Sequence, residues 1–141
     1  MKLQTWQLWA LASAGFAGLT GALGKKGVES VPSNLATALR TAMVLAIAAT
    51  VAAATGEVKI EQVPRRAWLW LAASALATAG SWLCYWRALK TGPLSGVAPI
   101  DKLSFVIAVA LGWALLGEKV PPNVLVGSAV IVAGVVITVW K

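Results

Sequence analysis

Long apolar runs alternate along the chain with short polar breaks, and the breaks hold most of the charge. Five runs stand out, over residues 6–23, 34–54, 67–89, 95–116 and 123–140. Gly24-Lys25-Lys26 closes the first. Pro32-Ser33-Asn34 opens the second with a proline-and-cap signal, and Thr55-Gly56-Glu57 ends it. Pro64-Arg65-Arg66 opens the third, which stops before Lys90-Thr91-Gly92-Pro93. Gly117-Glu118-Lys119 closes the fourth, and Pro121-Pro122 opens the fifth. At a rise of 1.5 Å per residue these runs make helices of about 27–35 Å, enough to cross about 30 Å of hydrocarbon. The pattern predicts an all-α integral membrane protein of five transmembrane helices, forming a single domain over residues 1–141. Only the break at 55–66 has real length and polarity.

Composition strengthens this reading. Of 141 residues, 59% are hydrophobic and only 12% charged, with a mean hydropathy of +0.79. A soluble domain carries roughly twice that charged fraction. The formal net charge of +7 would suggest nucleic acid in a soluble protein, but here the basic residues mostly fall between apolar runs. They are expected to meet lipid headgroups and fix orientation. The single cysteine, Cys84, excludes an intrachain disulfide. The chain has no histidine, no metal-spaced cluster, no Ser-His-Asp set and no phosphate-cradling loop, so neither an enzyme nor a cofactor is expected. Lys2 and Ala12-Ser13-Ala14 loosely resemble a cleaved signal, but Gln4 and Gln7 oppose this, and the first run is read as a retained span.

Two packing signals run along the spans. Trp6, Trp9, Trp68, Trp70, Trp86 and Trp140 lie near span ends, where an amphipathic ring settles at the headgroup level. Trp82 lies deeper, as a packing residue or a cavity wall. Gly15, Gly18, Gly21 and Gly24 recur every third residue, and Gly127 and Gly134 share nearly one face of the last span. Small faces let helices approach closely in lipid.

The fourth span carries the informative chemistry. Residues 103–116 alone are too short for a bilayer, which takes about 20 residues. A full crossing must begin near Ser95, and it encloses the neighbouring charges Asp101 and Lys102. Intramembrane charges are costly and mark substrate or ion pathways. Asp101 is the only acid inside any span and the first candidate to carry a proton or cation; a structural salt bridge is the alternative. Adjacent helical residues point about 100° apart, so Asp101 and Lys102 need not pair with each other. Pro99 removes a helical hydrogen bond just before them, and such breaks are tolerated where neighbours or water re-satisfy the carbonyl. Ser95, Ser104 and Tyr85 are candidate polar partners. Arg40 lies about 9 Å into the second span. It either snorkels to the headgroups or faces the bundle interior near Thr37 and Thr41, where it binds an anionic group or pairs with Asp101.

Five spans put the termini on opposite sides. Lys2, Lys59, Arg65, Arg66 and Lys119 fall on the N-terminal side, and Lys25, Lys26, Arg87, Lys90 and Lys141 on the other. This balance chooses no orientation by the positive-inside rule. Either one local signal such as Arg65-Arg66 dominates, or the chain inserts both ways and pairs as an antiparallel homodimer of ten spans. Many carriers place a midplane site between inverted repeats.

Three stretches together resemble a single EamA-type unit of the drug/metabolite transporter superfamily. They are Gly24-Lys25-Lys26-Gly27 with the run 34–40 ending in Leu39-Arg40; Tyr85-Trp86-Arg87-Ala88-Leu89-Lys90 leading to Leu94-Ser95-Gly96-Val97-Ala98-Pro99; and Leu115-Leu116-Gly117-Glu118-Lys119 followed by Gly127 and Gly134. The resemblance covers nearly the whole chain. It implies a five-span half of a ten-span carrier that moves a small metabolite or drug across a bacterial or archaeal inner membrane. Small multidrug exporters are similar in size, but they have four spans and an acid in the first, which this chain lacks. The expected partners are a small-molecule substrate, protons, the bilayer and a second copy, with no nucleic acid. Arg40, Asp101, Lys102, Ser95, Ser104, Trp82 and Tyr85 are the candidate binding residues, with Pro99 as the helix break. The competing class is a non-transporting scaffold or regulatory subunit, since an intramembrane charge pair also serves assembly.

Overall fold

Proline and glycine set most helix boundaries. The computed structural model describes residues 4–140, so Lys2 and Lys141 of the charge balance lie outside the described residues. Helix α1 (Thr5–Glu29) begins where the Gln7 side chain accepts the Gln4 N–H at 2.7 Å. It does not stop at Gly24, as the Gly-Lys-Lys signal predicts, but continues through both lysines to Glu29. The reason is non-local: the Lys25 ammonium donates to the carbonyl of Leu89, far along the chain, as described below.

Helix α2 (Ser33–Ala54) is capped by Pro32, whose carbonyl accepts the Ala36 N–H at 2.9 Å. Asn34, predicted as the cap, is therefore already helical. Gly56 ends the helix at φ +72°, a conformation that suits a residue without Cβ. A 3-10 turn (Ile60–Gln62) crosses the polar loop. Pro64 then starts α3 (Arg65–Thr91) by accepting the Ala67 N–H at 2.9 Å.

The fourth run is one 23-residue apolar segment, Leu94–Leu116, but two helices. Helix α4 (Leu94–Asp101) contains Pro99, and α5 (Leu103–Leu116) follows after Lys102. The interruption falls three residues after the proline. Pro99 has no N–H to offer the Ser95 carbonyl. Beyond it the ladder tightens, with Lys102 N–H on the Pro99 carbonyl (3.0 Å) and Phe105 N–H on the Lys102 carbonyl (3.1 Å). These i→i+3 bonds are the usual shape of a helix under local strain. Helix α5 ends at Gly117 (φ +67°), where the Glu118 N–H closes onto the Gly112 carbonyl at 3.1 Å. Helix α6 (Pro122–Val139) has Pro121 as its cap and Pro122 in its first turn, where a missing N–H costs nothing.

Four segments are long and apolar enough to cross a membrane: α2, α3, α4 with α5, and α6. Helix α1 has the length, 25 residues, but its glutamines, tryptophans and glycines make it less apolar. The chain is an all-α membrane protein. Its surface agrees, since Phe16 is 72% exposed and Leu76 75%, an arrangement that water does not favour but lipid does.

The helices fall into two compact units, divided between Thr91 and Gly92. In the first, α3 packs against both α1 and α2. Its centre is Val28, Leu89 and Trp86, the first two fully buried. In the second, α4 and α5 pack against α6 through Gly112, Ser128 and Val135.

The glycine expectations divide. Gly24 lies directly under Trp86, and a Cβ there would overlap the indole. Gly15, Gly18, Gly127 and Gly134 have nothing within 4 Å of such a Cβ. On α6 the buried residues are Ser128 and Val135, one position past each glycine. The packed face is therefore rotated about 100° from the glycine face.

Candidate functional site

In the first unit, Arg40 and Trp82 come together as cation and aromatic wall. Trp82 and Trp86 are four residues apart on α3, so both rings share one helix face. Arg40, about ten ångströms along α2 from Ser33, lays its guanidinium over both. The distances are 4.5 Å to the Trp82 ring centroid and 5.3 Å to that of Trp86. Both lie within the range of cation–π attraction. Arg40 is half-buried; among the described residues of its unit no carbonyl, hydroxyl or carboxylate pairs with it. The guanidinium carbon thus lies over both indole rings.

Trp86, expected at the headgroup level from its place near a span end, turns its ring into the protein. It is 4% exposed, because Gly24 opens a space for its ring against α1. Tyr85 meets it edge to face, with centroids 6.1 Å apart. The role of Trp86 under Arg40 was readable in the sequence from its i, i+4 spacing to Trp82. What hid it was its position at the end of a run.

Thr37 and Thr41 lie on the helix that carries Arg40. Their hydroxyls donate back to their own helix, Thr37 to the Ser33 carbonyl at 2.9 Å and Thr41 to the Thr37 carbonyl at 2.7 Å. Each retains lone pairs as an acceptor only. Two open grooves border the Arg40 cluster. One, of about 590 Å³, runs between α2 and α3, with Trp82, Thr37, Thr41, Ser74 and Thr78 on its walls. The other, of about 430 Å³, holds Arg40 and Trp86 with Thr20, Gly24, Leu39 and Met43. Both volumes suit a small ligand.

In the second unit, Asp101 and Lys102 do pair, with Nζ 3.6 Å from the carboxylate. The 100° offset of neighbouring helical residues argues against such a pair, but the helix is interrupted between them and the side chains converge. Their side chains are 38% and 60% exposed respectively. Ser95 stands one turn before Pro99, and Ser104 one turn after Asp101, both exposed. Polar side chains thus flank the break on both sides. A separate groove of about 630 Å³ lies between α5 and α6, where Trp113, Glu118, Lys119 and Ser128 meet valines. Glu118 folds back toward buried Gly112 there; a Cβ at Gly112 would stand 2.9 Å from its Oε2.

Two basic residues assigned to headgroups are engaged inside the first unit instead. Lys25 donates to the Leu89 carbonyl, and Lys90 to the carbonyls of Val28, Glu29 and Val31. The C-terminal ends of α1 and α3 therefore meet.

Comparison with known proteins adds the family. The model of the EamA-like transporter family matches residues 4–140. A protein of a Sinorhizobium species, named an uncharacterized transporter in the cobO 3' region, is 47% identical over 132 residues. That match covers 93% of this chain and 94% of the relative. No solved structure matches.

Proposed function

The chain belongs to the EamA-like transporter family and is a multi-pass membrane transporter component, and we propose that it is half of a ten-helix carrier. Two copies inserted in opposite orientations would form one pathway across a bacterial inner membrane. They would move a small metabolite or drug by alternating access. The family is one of transporters rather than enzymes. The family model spans residues 4–140, and in this reading they act as one domain.

The observation that carries this reading is the break at Lys102. It puts an acid and a base in the middle of an otherwise apolar 23-residue crossing. A discontinuous helix with freed backbone beside charged side chains is how many carriers build a substrate or ion site. Asp101 is the proton or cation carrier in this scheme, and Lys102 its counter-ion when the site is empty. Ser95 and Ser104 supply hydroxyls on the two sides of the joint. The tightened bonds between Pro99 and Phe105 make a place where α4 and α5 change angle without breaking either helix. The balance of basic residues between the two faces supports dual insertion and hence an antiparallel pair.

The test combines flux and topology. Purified chain with Cys84→Ser is reconstituted, and uptake of labelled benzoate, of a labelled amino-acid mixture and of ethidium is measured. Cysteines replacing Ser95 and Ser104 are probed from each side with an impermeant maleimide. Uptake that saturates, with substrate-dependent labelling, is expected. Sealed vesicles that take up none of these probes, with labelling fixed to one side, would remove the carrier. Terminal tags all facing one way would remove the antiparallel pair and leave the transporter.

A further inference from the structure

Every other cation that the first unit holds close is satisfied by backbone. Lys90 uses all three of its donors on carbonyls, and Lys25 reaches the Leu89 carbonyl. Arg40 is different. It lies inside an apolar span, its guanidinium lies over two indole rings, and among the described residues of its unit no acceptor meets its N–H groups. A guanidinium presents its donors as a rigid planar fork, and that fork matches the two oxygens of a carboxylate or phosphate. Contact with Trp82 and Trp86 restrains the side chain in advance, so less of its freedom is lost when a ligand arrives.

We propose that Arg40, clamped against Trp82 and Trp86, is an oxyanion receptor that binds the carboxylate of a small organic acid. The body of the acid lies in the groove of about 430 Å³ between α1, α2 and α3. That groove is lined by Thr20, Leu23, Gly24, Gly27, Leu39 and Met43 beside the cation. Its walls are small or apolar and carry no second charge. The site therefore selects a monocarboxylate with a short apolar or aromatic body over a zwitterion or a cation. This inference rests on the transporter reading and names the class of cargo that the first unit recognises.

The same fork also fits the phosphate of an anionic lipid, and the test separates the two. The full chain is placed in nanodiscs of phosphatidylcholine alone, and benzoate and butyrate are titrated against benzamide and butyramide by tryptophan fluorescence. Acids binding about tenfold or more tightly than their amides is the expected result, because the amide forfeits a charge-assisted bidentate bond. Arg40→Gln should erase the difference, and Arg40→Lys should retain part of it, since lysine keeps the charge but loses the fork. Gel filtration checks that each variant folds; the acid–amide comparison on the unaltered chain needs no variant. Equal affinity for acid and amide overturns the proposal, as does a preference that survives Arg40→Gln. A response produced by phosphatidylglycerol in the disc, with no competition from carboxylates, assigns the site to lipid and also overturns it. Flux distinguishes this from the reading beneath it. Uptake of ethidium without carboxylate binding sinks only the oxyanion site, whereas carboxylate binding without any flux sinks only the carrier.

Discussion

Lys25 and Lys90 cap each other's helices. Lys25 Nζ donates to the Leu89 carbonyl at 2.7 Å, near the end of α3. Lys90 Nζ donates to the carbonyls of Val28 (2.9 Å), Glu29 (3.2 Å) and Val31 (2.8 Å), where α1 ends. The exchange puts positive charge at the negative ends of two helix dipoles and satisfies carbonyls that no later turn can reach. Fully buried Val28 and Leu89 sit beside it, so the apolar centre of the first unit is sealed at that end.

Lys90→Met should therefore destabilise the protein by about 1–2 kcal/mol, the upper part of the range for a cation at a helix C-terminus. Lys25→Met should also destabilise it, since its ammonium donates to the Leu89 carbonyl. Thermal unfolding in detergent, followed by gel-filtration recovery, ranks the two. Equal melting of Lys90→Met and the unaltered chain would show the cap to be idle.

Gly24→Ala should cost about 1–3 kcal/mol, because the added methyl meets the Trp86 ring and overpacking forces a backbone or rotamer shift. Combining it with Trp86→Leu should recover part of the loss, which a double-mutant cycle on melting temperature measures. By contrast, Gly18→Ala should be neutral or slightly stabilising, since nothing lies within 4 Å of its position. Equal effects at Gly24 and Gly18 would mean the indole does not rest on α1.

Asp101→Asn should abolish the pH dependence of uptake in proteoliposomes while leaving the protein folded. The amide cannot take up or release a proton, and it no longer attracts the Lys102 ammonium 3.6 Å away. Uptake that keeps both its rate and its pH profile in this variant would take the coupling role from Asp101.

Pro99→Ala should lower transport without lowering stability. Alanine returns an N–H to the Ser95 carbonyl and favours a continuous helix through Lys102. The melting temperature should hold or rise while the uptake rate falls. A variant that transports normally would show that the joint between α4 and α5 is not used in the cycle.

The helices were largely readable in advance, because each boundary has a local cause. Pro32, Pro64, Pro93 and Pro121 mark helix starts, and Gly56 and Gly117 adopt the left-handed turn that ends α2 and α5. The one clear misplacement, at the end of α1, has a non-local cause. Gly24-Lys25-Lys26 resembles a stop until α3 supplies the Leu89 carbonyl and the Trp86 ring. The candidate site was legible as residue types in an apolar setting: Arg40, Asp101 and Lys102 stand out because charge is costly there. Their partners were not legible. Arg40 has two tryptophans for neighbours, and Asp101 has the adjacent lysine, although regular helix geometry turns neighbours apart.

Sequence alone determined that this chain lives in lipid as a bundle of helices, because apolar runs of bilayer length leave the backbone no other way to satisfy its hydrogen bonds. It also determined which few charges had to be explained. Tertiary structure alone decided what those charges touch. Hydropathy is a property of each segment, whereas a stacked guanidinium, a reciprocal lysine cap and a glycine beneath an indole exist only where helices far apart in sequence pack side by side.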